Sequence, residues 1–92
     1  MRFLVKIAVP EASENPAVAD PNFEGMMRAL CFELRTQAHY TRTEGGRRFD
    51  YVLVDVEPAE MAAVARPIFQ WLGTKVEFLP ETAPGRFGHV NT

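Results

Sequence analysis

Four segments of the chain alternate between apolar and polar or small side chains, which is the pattern of a β-strand with one buried face. They are residues 2–9, 38–43, 48–56 and 74–80. The residues between the second and third segments are Glu-Gly-Gly-Arg at 44–47. Because glycine adopts the positive φ angles of a two-residue turn, they predict a tight hairpin that joins these two strands.

Two further segments have apolar residues at the three- and four-residue spacing of an amphipathic helix. The apolar positions are Phe23, Met26, Met27, Leu30 and Leu34 in the first, and Met61, Val64, Ala65, Ile68, Phe69 and Leu72 in the second. The first helix has two possible starts, Asp20-Pro21 and Asn15-Pro16, since each pairs an N-cap residue with a proline. The second begins at Pro58, and Pro67 inside it predicts a kink or a restart near residue 66.

The predicted elements follow the order β-α-β-β-α-β, without an internal repeat. The simplest packing is an α+β, ferredoxin-like fold, in which two helices cover one face of a four-stranded antiparallel sheet. The first and third strands then lie in the middle of the sheet. We expect residues 1–80 to form this domain. Residues 81–92 form a tail whose Phe87 and Val90 suggest that it packs on a partner subunit.

The alternation also predicts which side chains share the face away from the helices, here called the open face. Pairing the first and third strands places Arg2 beside Asp55, Leu4 beside Leu53, Lys6 beside Tyr51 and Ala8 beside Phe49, and the hairpin adds Ala38, Tyr40 and Arg42. Leu79 and Glu77 join them from the fourth strand. These side chains would form an apolar patch of roughly several hundred Å², which usually marks an interface. We therefore expect two sheets to pack face to face in a homodimeric α+β barrel.

Composition narrows the classes of function. The chain has 92 residues, of which 47% are hydrophobic and 24% are charged, with a net charge of −2. The absence of a basic face argues against nucleic-acid binding, and no apolar run approaches the ~20 residues that span a membrane. The single cysteine, Cys31, excludes an internal disulfide and fits the cytoplasm. The two histidines and Cys31 lie far apart in the sequence, so we expect neither a metal nor another cofactor.

The open face also carries the residues with the clearest chemical potential. A lysine in a central strand is costly to bury unless it is paired, so Lys6 is the first candidate, and burial would lower its pKa and suit proton transfer. Together with Arg42, Tyr40 and Tyr51 it would hold a small carboxylate or phenolic compound. In the alternative interpretation, both cations reach the barrel ends or pair with Glu77 and Asp55.

Other polar residues allow simpler interpretations. Asp55 forms either a cross-strand ion pair with Arg2 or an acid or base at a pocket mouth. His39 points to the helix side and is interpreted as structural. Trp71 is expected to pack at a helix end or between subunits. Arg47-Arg48 at the hairpin tip is expected to be solvated.

The segments MRFLVKIAVP, with Lys6, and YVLVDVEPAEM, with Tyr51 and Asp55, resemble the muconolactone isomerase branch of the dimeric α+β barrel superfamily. This resemblance covers most of the chain in element order. It implies a cofactor-free enzyme that shifts a double bond in a small unsaturated lactone carrying a carboxylate.

Such chemistry needs a base, a proton donor and a cation. We expect Lys6 and Arg42 to bind the carboxylate, Tyr40 or Tyr51 to donate, and Asp55 or Glu77 to be the base. Lys6, Tyr51 and Asp55 are thus the predicted catalytic residues, and Leu4, Leu53 and Phe49 complete the predicted substrate-binding set. The alternative is a dimer without catalysis, which binds a ligand or serves a structural purpose.

Overall fold

The computed structural model describes residues 1–81 and contains a four-stranded sheet and two α-helices. In chain order the elements are β1 (Arg2–Ala8), α1 (Phe23–Glu33), β2 (Ala38–Glu44), β3 (Arg47–Asp55), α2 (Met61–Leu72) and β4 (Val76–Pro80). The strand order in the sheet is β2-β3-β1-β4, and every neighbouring pair is antiparallel. The predicted α+β, ferredoxin-like arrangement with β1 and β3 in the middle is confirmed.

The register of the sheet also agrees with the prediction. In the central pair Lys6 lies opposite Tyr51, and Tyr51 in turn lies opposite Tyr40 on β2. On its other side Lys6 lies opposite Glu77 of β4. Since side chains alternate along each strand, these pairings put the four side chains on one face of the sheet.

The turn between β2 and β3 has the geometry that two glycines permit. Gly45 and Gly46 have φ angles of 59° and 79°, and Glu44 lies opposite Arg47 where the strands meet. Positive φ at both central residues matches the right-handed twist of a hairpin. The turn therefore fixes Glu44 as the last residue of β2, on the same face as Tyr40 and Arg42.

Both predicted starts of the first helix mark a real feature, but α1 begins later, at Phe23. The Asn15 side chain accepts a hydrogen bond from the Ala17 amide at 3.0 Å and caps a short 3-10 helix, Pro16–Ala19. The Asp20 side chain accepts one from the Asn22 amide at 2.7 Å. The chain therefore turns twice before α1 starts, which the spacing of apolar residues did not reveal.

The predicted restart of the second helix near residue 66 is wrong. A 3-10 turn, Pro58–Glu60, leads into α2, which continues through Pro67 and ends at Gly73 with a φ angle of 67°. The carbonyl that loses its helical partner at a proline belongs to the residue four positions earlier. Here that residue is Ala63, which is exposed to solvent.

The core lies between the helices and one face of the sheet. Its most buried members include Val5, Val54 and Ile68, each at most 1% exposed. Trp71 stacks on Phe23 with 5.0 Å between the ring centroids, so its predicted packing at a helix end occurs within the chain. None of the helices in residues 1–81 has the length and apolar character needed to cross a membrane.

The tail of residues 81–92 was expected to pack on a partner subunit. Only its first residue, Glu81, lies within the described part of the chain. Its amide donates to the Arg2 carbonyl at 3.0 Å, which extends the edge of the sheet by one residue beyond β4.

Candidate functional site

The open face contains a concave site with a volume of about 410 Å³. Its lining consists of Leu4, Lys6, Arg42, Glu44, Tyr51, Glu77 and Leu79. Five of these were predicted from the sequence as site residues, namely Leu4, Lys6, Arg42, Tyr51 and Glu77. Four other predicted residues do not line the cavity, namely Tyr40, Phe49, Leu53 and Asp55.

Lys6 lies in the middle of β1, and its side chain is 27% exposed. Its ammonium is 3.4 Å from a carboxylate oxygen of Glu44 and 4.5 Å from the ring centroid of Phe49. Burial lowers the pKa of Lys6, but Tyr51 and Glu44 outweigh this effect and the pKa is raised. The predicted lowering of its pKa is therefore wrong, and Lys6 is a cation at neutral pH rather than a base.

Glu44 and Tyr51 form a short contact in the cavity. The Tyr51 hydroxyl donates a hydrogen bond of 2.5 Å to the Glu44 carboxylate. Burial raises the pKa of Tyr51, and the hydrogen bond to Glu44 raises it further. The same hydrogen bond is the main cause that lowers the pKa of Glu44. At neutral pH the cavity thus presents a neutral phenol, an ionised carboxylate and the ammonium of Lys6.

Sequence reasoning did not identify Glu44 as a site residue, because it was assigned to the turn. The hairpin register held the signal, since residues two apart on a strand share a face and Glu44 follows Tyr40 and Arg42 at that spacing. Extending β2 by one residue would have placed this carboxylate on the open face, which it shares with Tyr51.

Tyr40 supports the site from outside the cavity. Its ring stacks on that of Tyr51, with centroids 5.0 Å apart and planes 10° apart. Offset stacking of this kind restricts the orientation of both rings. The Tyr40 hydroxyl is buried and has no hydrogen-bond partner among residues 1–81.

Asp55 lies at the rim of the sheet, more than half exposed. It accepts a hydrogen bond of 2.8 Å from the amino group of Met1, and this contact lowers its pKa. Arg2 lies opposite Asp55 in the register, but its guanidinium binds Glu81 at 2.8 and 2.6 Å. Of the two interpretations, the rim ion pair describes Asp55, although with a different partner.

A second polar cluster lies on the helix side of the sheet around Asp50, whose side chain is fully buried. Its carboxylate contacts His39 at 2.7 Å and the Arg48 guanidinium at 2.8 Å. Arg48 also binds Glu24 of α1 at 2.6 and 2.9 Å. His39 is thus held in a structural cluster, as predicted, whereas the expectation of a solvated Arg48 is wrong. Hydrogen bonds from Arg48 to Glu24 and Asp50 raise its pKa.

Comparisons with known proteins add no assignment. No protein-family model matches the sequence, and no curated protein is significantly similar to it. Among residues 1–81, no three His, Cys, Asp or Glu side chains are grouped so that they could hold a metal ion. The resemblance to muconolactone isomerase therefore stays a prediction from the sequence.

The contact between Glu44 and Tyr51 predicts a measurable titration. With Tyr40→Phe as background, Tyr51 is the remaining tyrosine of the two in the chain, and its phenolate is followed by ultraviolet absorbance. We expect Glu44→Gln to lower the pKa of Tyr51, because the neutral amide no longer opposes the negative phenolate. Glu77→Gln is the matched control and should move it less. An unchanged pKa in Glu44→Gln would show that burial alone sets it.

Proposed function

We propose that this chain acts as a homodimer that carries out cofactor-free proton transfer on a small molecule in the open-face cavity. The observation that carries the proposal is the cluster of Lys6, Glu44 and Tyr51, which brings a cation, a carboxylate and a phenol together. General acid–base chemistry needs such a set, with groups of different charge within reach of one substrate.

The roles follow from the charge states of these three groups. Glu44 is ionised and would accept the proton next to a carbonyl of the substrate. Tyr51 keeps its proton and would turn its O–H from Glu44 to the substrate oxygen on which negative charge develops, since one hydroxyl proton cannot serve both acceptors. Lys6 would hold the carboxylate of the substrate. Returning the proton to a different carbon moves the double bond without a net change in oxidation, so the reaction needs no redox partner.

The resemblance to muconolactone isomerase supplies the substrate class, a small unsaturated lactone that carries a carboxylate. Glu44 takes the place of Asp55 and Glu77 as the proposed base. Asp55 binds the amino group of Met1 at the rim of the sheet. Glu77 lines the cavity but forms no ion pair with a described residue, whereas Glu44 contacts both Lys6 and Tyr51.

The character of the open face supports the homodimer. Around the charged cluster lie Leu4, which is buried, and Ala8, Phe49, Leu53 and Leu79, which are partly exposed, so apolar side chains surround the cavity. The face carries two cations, Lys6 and Arg42, and two carboxylates, Glu44 and Glu77. Two copies related by a two-fold axis could therefore place opposite charges against each other across the interface. Closing the face would also exclude water from the cavity and strengthen the electrostatic interactions inside it.

Two measurements test the proposal. Sedimentation equilibrium over a range of concentrations should give the mass of a dimer. A panel of small unsaturated lactones with a carboxylate should include one whose double bond shifts, as followed by ultraviolet absorbance. A monomer at all concentrations would contradict the dimer. A crystal structure with the cavity filled by side chains of the second copy would contradict catalysis and favour a structural dimer.

A further inference from the structure

The carboxylate of Glu44 is shared unequally between its two partners. The hydrogen bond from Tyr51 is 2.5 Å long, whereas the Lys6 ammonium lies 3.4 Å from the other carboxylate oxygen. A strong charge-assisted hydrogen bond from an ammonium is about 2.7–2.9 Å long. Lys6 is therefore held loosely and Tyr51 tightly.

Within the described part of the chain, Glu44 is the one carboxylate within ion-pair distance of Lys6. Glu77 lines the same cavity and lies directly opposite Lys6 in the sheet, but the two form no ion pair. A ligand carboxylate that binds Lys6 is therefore repelled by the negative charge of Glu44, which already occupies that position.

We propose that Glu44 competes with the carboxylate of an incoming ligand for Lys6, so that ligand binding transfers the ammonium from one carboxylate to the other. This inference rests on the proposed function, since it concerns a ligand of the same cavity. It adds a self-inhibiting contact that limits affinity for small carboxylates. It also releases Glu44 from its cation when the ligand arrives, which makes the carboxylate a better proton acceptor.

The surroundings of Lys6 make this exchange feasible. The side chains of Lys6 and Glu44 are 27% and 36% exposed, so a ligand can approach both from solvent. The ammonium also lies 4.5 Å from the ring centroid of Phe49 and 5.9 Å from that of Tyr51. Cation–π contacts of this kind hold the ammonium in position while its carboxylate partner changes. The aromatic rings beside it favour a flat, unsaturated carboxylate as the ligand.

The test measures benzoate binding by nuclear magnetic resonance titration in the wild-type protein and in two single variants. Glu44→Gln should bind benzoate about tenfold more tightly than wild type, because the competing charge is gone. Glu77→Gln removes the same charge from the same cavity without touching Lys6, and its affinity should change by less than about twofold. Benzamide, the neutral analogue, should not gain affinity in either variant. If Glu44→Gln does not fold, Glu44→Asp retracts the carboxylate from Lys6 and should show a smaller gain.

The outcomes separate this inference from the proposed function. Benzoate binding in the wild type with equal or weaker binding in Glu44→Gln would overturn the competition but keep the carboxylate site. An equal gain in Glu44→Gln and Glu77→Gln would reduce the effect to the general charge of the cavity and would also overturn it. If neither the wild type nor Glu44→Gln binds benzoate, the carboxylate site of the proposed function fails as well.

Discussion

Replacing Asp50 with alanine is expected to lower the free energy of unfolding by about 3 kcal/mol, because removing one member of a buried ion pair leaves the other uncompensated. Asp50 is fully buried, and its two oxygens accept from Arg48 and contact His39. The value lies at the lower end of the usual range because Arg48 keeps its second partner, Glu24, and is partly exposed. Urea denaturation followed by circular dichroism measures the change.

Asp55→Ala is the matched control for this prediction. Asp55 lies on the same strand and also forms an ion pair, but its side chain is 55% exposed. Exposed pairs contribute between about 0 and 1 kcal/mol, so this variant should stay close to the wild type. A loss of less than about 1 kcal/mol in Asp50→Ala would mean that Arg48 and His39 find water as a partner once the carboxylate is gone.

Lys6→Met is expected to abolish the proposed turnover while leaving the proposed dimer intact. Methionine has similar length and fills the same space, but it cannot hold the carboxylate of a substrate. Lys6 lies opposite both Tyr51 and Glu77 in the middle of the sheet and lines the cavity, so its loss removes a positive charge from the centre of the site. Turnover on the lactone panel tests the loss of activity, and sedimentation equilibrium tests whether the variant has the mass of a dimer.

The chain offers a matched control in its only other lysine, Lys75, which is exposed just before β4. Lys75→Met removes the same charge outside the cavity and should leave both the proposed turnover and the proposed dimer unchanged. If Lys6→Met retained full activity on an identified substrate, Lys6 would have no essential role in binding or catalysis.

The sequence was sufficient to predict the sheet and its register. Alternation in the strands and the two glycines of the hairpin are local signals, and together they place Tyr51 between Lys6 and Tyr40, as the structure has them. Five residues of the cavity lining followed from this register alone. Backbone alternation determines the face on which a side chain lies, and that part of the site was therefore predictable.

The reach and pairing of long side chains were not predictable in the same way. Arg2 and Asp55 lie opposite each other in the register. Asp55, however, binds the amino group of Met1, and Arg2 binds Glu81. Arg48 at the hairpin contacts Glu24 from a distant helix. The pKa of Lys6 depended on a balance between burial and the two groups beside it, and Glu44 was not assigned to that face. The partners of long, flexible side chains depend on which residues lie nearby in the folded structure. The local pattern of apolar and polar residues does not contain that information.

The cluster around Asp50 has a consequence for how the chain finds its fold. A β2–β3 hairpin misaligned by one residue would turn Asp50 and His39 to opposite faces, because successive side chains alternate. The carboxylate would then lose His39, which holds it in the correct pairing. The apolar residues of β3 discriminate weakly between the two alignments, since both faces of that strand carry them. A single buried carboxylate thus helps to select one alignment during folding, and variants that lack it should populate misfolded hairpins more often.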